Sequence, residues 1–152
     1  MKLGEYEWRG INSNVSDVEM SRFENQNKIK LPEDYKKAIL KYNGGIPSKC
    51  SFPYEDPMYG PVNTVFGMML SFCKCDEDNI FESFDSLKDQ LPDRVYPIID
   101  DGAGDYVCFD YRNAEVSPRL VYWCHELSLE NSIVPLADTF TDFIENKLRK
   151  KN

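Results

Sequence analysis

Four aspartates fall close together, Asp100, Asp101, Asp105 and Asp110. Carboxylates this near could hold a metal ion or share acid–base work. A calcium loop of the EF-hand kind needs acids at alternating positions, a central glycine and a terminal glutamate. Asp100-Asp101-Gly102-Ala103-Gly104-Asp105 lacks that spacing. It reads instead as a tight reversal, whose dihedrals Asp and Gly accept and whose backbone N–H groups Asp105 caps. Cys73-Lys74-Cys75 points both sulfurs to one side of a strand. Structural zinc sites, however, take two or more residues between paired cysteines, and a second pair. Cys124 and His125 could add ligands, but as strand neighbours their side chains diverge. The odd count of five cysteines (also Cys50 and Cys108) and their scattered spacing predict reduced, buried, apolar thiols. His125, the only histidine, could pair with Cys108 as a nucleophile. No feature supplies an oxyanion hole or a lowered thiol pKa. No Walker loop, Rossmann glycine pattern, nucleophile elbow or zinc-protease motif occurs. Gly44-Gly45 follows a helix, where a phosphate cradle would precede one. The expectation is a protein with no catalytic residue, no metal and no cofactor.

The elements that position these residues alternate between helical and strand patterns. Ser16 and Glu19 form a capping box, with Val15 and Met20 at the staple positions. That helix is expected to run to about Gln26 and to turn Val18 and Phe23 inward. A second begins at Leu31-Pro32, with proline at the first helical position and Glu33 and Asp34 on the positive end of its dipole. Tyr35, Ala38, Ile39 and Tyr42 form its apolar stripe, and Asn43-Gly44-Gly45 ends it. Residues 46–63 hold Pro47, Pro53, Pro57, Gly60 and Pro61, which reads as a long, stiffened loop. Thr64 to Phe72 reads as two short strands around a bend at Gly67. Asp76-Glu77-Asp78 opens a third helix that buries Ile80, Phe81, Phe84, Leu87 and Leu91, and Pro92 stops it.

The remainder reads as a meander: strands over Tyr96–Asp100, Asp105–Tyr111 and Arg119–His125. Apolar groups on both faces of the middle strand place it inside the sheet, with helices over at least one side. A last helix starts near Asp138 or Thr139, buries Phe140, Phe143, Ile144 and Leu148, and ends in Lys147 to Lys151. The sum is one α+β domain over residues 1–152, a central, mostly antiparallel sheet flanked by about four helices.

Composition fits a compact chain, with 152 residues, 41% hydrophobic and 29% charged, and excludes disordered and collagen-like classes. No apolar run is long enough to span a bilayer, and Met1 to Glu7 carries two acids where a signal peptide needs apolar residues. A soluble, cytoplasmic protein is expected. There are 26 acids against 18 basic residues, a net charge of −8. Four of those basics stand in the last six positions, which leaves residues 1–146 at −12. Such a field repels a phosphate backbone and speeds encounter with a cationic protein.

Four segments in this order resemble the SUKH superfamily, which includes yeast cell-wall-assembly regulators of the Smi/Knr type and many bacterial immunity proteins. They are Leu31-Pro32-Glu33-Asp34-Tyr35 leading to Tyr42-Asn43-Gly44-Gly45, Tyr96 to Asp110, Val121 to Glu126, and Leu136 to Ile144. The likeness covers about 15–148. It implies a mixed α+β fold and a binding protein instead of an enzyme. Its signature residues, Leu31, Pro32, Asn43, Gly44, Gly45, Gly102, Gly104, Asp105 and Phe140, look architectural. It implies an immunity-type protein that neutralises a toxin, often a nuclease, by direct binding; the alternative is a regulatory scaffold with an ordinary cellular partner. The expected contact surface is acidic and studded with aromatics: Tyr54, Glu55, Asp56 and Tyr59 of the 46–63 loop, Asp76, Glu77 and Asp78, and Asp100 and Asp101. Phe52 belongs to the same loop, which could equally fold back on its own aromatics.

Overall fold

The computed structural model describes residues 6–114, 116–127 and 132–150. Met1–Glu5 and Lys151, which enter the sequence reading, lie outside them. In chain order the elements are β1 (Trp8–Arg9), α1 (Asp17–Asn27), α2 (Glu33–Tyr42), β2 (Ile46–Pro47), β3 (Ser51–Asp56), β4 (Gly60–Val65) and β5 (Met68–Met69). Then come α3 (Ile80–Leu87), β6 (Val95–Asp100), β7 (Tyr106–Asp110), β8 (Arg119–Trp123), β9 (Ile133–Ala137) and α4 (Phe140–Asp142), which widens into a π-helical turn over Phe143–Lys147. Strands β5 to β9 form one sheet in sequence order, antiparallel throughout. The fold is α+β, as expected.

Alternation along β7 and β8 gives the sheet two covered faces. Val107, Phe109, Leu120 and Tyr122 join the main core with Phe23, Tyr35, Ile39 and Phe143. Cys108, Val121 and Trp123 point the other way, against Val95 and Leu91 and under Phe84 and Leu87 of α3. The capping box at Ser16 and Glu19 is formed. Val18 is not inward: it is 64% exposed, because it lies roughly 200° around the helix from the buried Met20. Buried Glu24 ties α1 to the next element, accepting from Leu31 N at 2.7 Å and from Lys36 Nζ at 3.1 Å. Pro32 is the N-cap of α2, one position before the first helical residue. Asp34 reaches across to α4, where Thr141 donates to it through N and Oγ1.

The 46–63 segment is not a loop: it holds β2 and most of a hairpin, paired from Ser51 with Val65 to Asp56 with Gly60. Prolines fit there for a definite reason. Ser51 turns its N–H and C=O away from β4, to Arg149. Pro53, two residues on, and Pro61, opposite Glu55, share that outward phase, so no ladder bond needs their missing N–H. The third helix starts late. Asn79 caps it by accepting from Glu82 N at 2.9 Å, so Asp76-Glu77-Asp78 form the preceding turn, and the helix ends at Leu87, well before Pro92. Strand β9, unassigned in the sequence, completes the sheet edge with Pro135 within it. Thr139 caps the last helix as expected, and Phe140, Phe143, Ile144 and Leu148 are buried.

The cysteines differ from the expectation. Cys73 and Cys75 are joined as a disulfide, with Cα atoms 5.1 Å apart, and Cys75 is exposed. The chain there makes a turn instead of a strand, so the two sulfurs converge. Cys108 and Cys124 are buried free thiols, and Cys50 is a half-buried one. Among the described residues no helix is long and apolar enough to cross a membrane.

Candidate functional site

The β6–β7 reversal builds the site's floor. Asp100 Oδ1 accepts from Gly102 N at 2.7 Å, and Asp101 Oδ1 accepts from Ala103 N at 2.7 Å and Asp105 N at 3.1 Å. The turn reading therefore holds, but the caps are Asp100 and Asp101, not Asp105. Gly102 and Gly104 take φ of +88° and +98°, which only glycine adopts without strain. Asp101 is 6% exposed, and its other oxygen receives the Tyr122 hydroxyl at 2.5 Å. Asp105 instead accepts from His125 N at 2.9 Å and sits 2.6 Å from its Nδ1.

The hairpin brings a second group of side chains to the same end of the sheet. Phe52 is buried edge-on to Tyr122 and Phe143, and Tyr54 packs its ring 4.4 Å from that of Tyr122. Thr64 Oγ1 lies 3.3 Å from the Tyr122 hydroxyl and 3.5 Å from Asp101 Oδ2. Asp56 caps the hairpin turn, accepting from Met58 N and Tyr59 N, and leaves Met58 and Tyr59 at the tip, 72% and 77% exposed. The α3-side turn supplies Asp78, exposed and within electrostatic reach of Asp100 and Tyr106.

Burial, joined by the charges of Asp101 and Asp78, raises the Asp100 carboxyl against the pull of the Gly102 N–H. Burial and the charges of Asp100, Asp78 and Asp101 push the Tyr106 phenol to about 12. Tyr54 also stands at about 12, from burial first and then the charges of Cys124 and Asp56. His125 is raised by its hydrogen bond to Asp105, so that pair is held below the ordinary histidine range and weakens as pH rises through the folded value. Among the described residues no Lys or Arg comes within ion-pair distance of Asp56, Asp78, Asp100, Asp101 or Asp105; His125 is the basic group they have. Asp110 is the contrast, buried between Arg112 and Arg119.

Of the expected contact residues, Tyr54, Asp56, Asp78, Asp100 and Asp101 are brought to one end of the sheet, and Glu55 and Tyr59 stand on the hairpin that covers it. Two of the expected residues have partners within the chain. Asp101 is buried and spent on the turn and Tyr122. Asp76 is held by Ser71 Oγ at 2.6 Å and Ser13 Oγ at 3.1 Å. Glu77 is exposed beside it. Tyr106, Tyr122, Thr64 and His125 were missed, because cross-strand neighbours carry no mark in linear spacing. The carboxylates do not converge on one point as metal ligands would. Cys108 is fully buried, its thiol pushed well above the usual range by burial, and it lies on the opposite sheet face from Tyr122. A groove of about 710 Å³ is lined by Tyr6, Trp8, Arg9, Lys49 and Lys150 among others and by none of the five acids.

Two of the signature residues, Asn43 and Gly44, hold the backbone around them. Asn43 donates to Ser13 O at 2.7 Å and Ser71 Oγ at 2.9 Å and accepts from Phe72 N at 3.0 Å. Gly44 has φ +78°, and a Cβ there would fall 2.4 Å from Asn12 Nδ2. The model of the SMI1/KNR4 family, SUKH-1, matches residues 14–146. The chain belongs to that family. A comparison with curated proteins finds no match. In this SUKH-1 domain the matched span contains the whole five-stranded sheet, the hairpin and the acidic turn.

Proposed function

We propose that this SUKH-1 domain is an immunity-type binding protein, which neutralises a basic toxin domain by direct contact and catalyses no reaction itself. The observation that carries the reading is the group of carboxylates at one end of the sheet with no Lys or Arg among the described residues paired to them, beside the exposed Met58 and Tyr59. Unpaired charge there speeds encounter with a cationic surface, and apolar tips that become buried hold the complex. If the toxin is a nuclease, Asp56, Asp78 and Asp100 occupy the place of substrate phosphates. The same field disfavours direct nucleic-acid binding. The cytoplasm is the compartment this role requires.

The test starts from partners captured from the native host and from any toxin encoded by the neighbouring gene. Association of the purified pair is followed by stopped flow across ionic strength, with wild type and Asp78→Lys/Asp100→Lys. The expected result is an association rate that falls roughly tenfold or more with added salt and with charge reversal. A rate indifferent to both removes the electrostatic account. A partner held by this face that is no toxin moves the role to a regulatory scaffold.

A further inference from the structure

Among the described residues one group of three metal-capable side chains has its donor atoms within 4.8 Å of one another: Cys73, Cys75 and Asp76. They occupy the turn between β5 and α3. Asp76 is no loose surface acid. One carboxylate oxygen accepts from Ser71 Oγ and the other from Ser13 Oγ, which leaves each oxygen a further lone pair. Ser71 is itself buried, receives Asn43 Nδ2 at 2.9 Å and accepts from Cys73 N at 3.0 Å. Asp76 N donates to Cys73 O, and Asn79 Nδ2 donates to Asp76 O. The backbone carrying all three ligands is thus fixed by a network rooted in Asn43, independently of the bond between the sulfurs. Partners that orient a ligating carboxylate in this way are the usual surroundings of a metal site.

We propose that reduction of the Cys73–Cys75 disulfide opens a zinc site, in which the two thiolates and the Asp76 carboxylate bind one ion and a fourth position stays open to water. The donor set decides the metal: two soft thiolates suit Zn²⁺ and are foreign to Ca²⁺ or Mg²⁺, and three protein ligands leave a tetrahedral vacancy. The sequence reading set zinc aside because a single residue separates the cysteines and no second pair exists; the turn brings the two sulfurs together all the same, and the third donor is the residue next to Cys75.

The chemistry balances through a dithiol reductant. Its thiolate attacks one sulfur, the S–S bond breaks, and the released sulfur takes a proton. The second reductant thiol then displaces the mixed disulfide, so the reductant leaves oxidised and the protein holds two thiols. Zinc binding releases both thiol protons to solvent. In the oxidised state neither sulfur carries charge, and the site is closed. Cys75 is exposed and Cys73 half-buried, so reductant and ion can reach them, whereas Cys108 and Cys124 are buried.

The experiment uses the whole chain, reduced with a phosphine under metal-free conditions or left oxidised. Zn(II) is titrated by calorimetry and Co(II) by absorption. Reduced protein is expected to bind one zinc per chain, with the oxidised form weaker by roughly a hundredfold or more. Cys73→Ser, Cys75→Ser and Asp76→Asn are each expected to weaken binding roughly tenfold or more. The cobalt complex of the wild type should show a thiolate charge-transfer band that Cys75→Ser diminishes. Cys75 side-chain replacement leaves the buried network untouched, and circular dichroism checks the fold. Zinc that fails to bind the reduced chain, binds the oxidised chain equally, or binds Cys75→Ser as tightly as wild type overturns the site. Unchanged affinity in a folded Asp76→Asn overturns its third ligand.

Discussion

Asp110 and Asp101 show how differently one residue type is used within ten positions. Both are buried and both were grouped with the acids of the reversal, yet neighbouring strands give them opposite partners. Burial pushes the Asp110 carboxyl up, but the hydrogen bonds from the Arg112 side chain and N–H and from Arg119 outweigh it and bring it to about 2. Its folded value lies below the unfolded one near 3.8, so the stabilisation is present above about pH 4 and is lost as pH falls through 2. The two arginines are over a third exposed, which discounts the pair to roughly 1–2 kcal/mol. Asp110→Asn should lower stability by that amount at pH 7, and its urea midpoint should converge on wild type near pH 2. Asp101 has no arginine; its oxygens serve N–H groups of the turn and the Tyr122 hydroxyl. The sequence displays both aspartates and Arg112, two positions from Asp110, but Arg119 and Tyr122 stand on β8, out of linear view.

At the scale of elements, the joint between hairpin and sheet decides whether the acidic face exists. Gly67 makes that joint. A Cβ at this position would lie 2.4 Å from Asp100 O and 2.9 Å from Asp101 C, both backbone atoms with no freedom to swing aside. Gly67→Ala should therefore cost about 1–3 kcal/mol in chemical denaturation, the price of forcing two backbones apart. It should also displace Asp100 and Asp101. A variant as stable as wild type would mean that the hairpin docks more loosely than this contact requires. The bend at Gly67, the capping box and the helical stripe of Tyr35, Ala38 and Ile39 were legible locally. The hairpin was not, because Pro53 and Pro61 mimic a loop until the outward phase of Ser51 is known. Strand β9 escaped for a related reason: Pro135 is tolerated at an edge, and being an edge is a property of the assembled sheet.

For the whole molecule, the question is what holds it together. The core has covered faces on both sides of the sheet, and the Cys73–Cys75 bond closes a loop of about three residues, so its chain-entropy contribution is only on the order of 1–2 kcal/mol. Reduction should lower the melting temperature by roughly 2–8 °C without unfolding the protein at room temperature, as calorimetry with and without reductant will show. Loss of the fold on reduction would make the bond a structural staple instead of a surface site. The amino-acid order alone determined the α+β class, four of the five sheet strands, the stops and starts of two helices and the family, because capping, periodicity and glycine turns act within a few residues. Which acids stand unpaired among the described residues and where the hairpin docks were decided only by tertiary structure. Those are properties of residues many positions apart, brought together by burial of aromatic side chains, and no local rule encodes that distance.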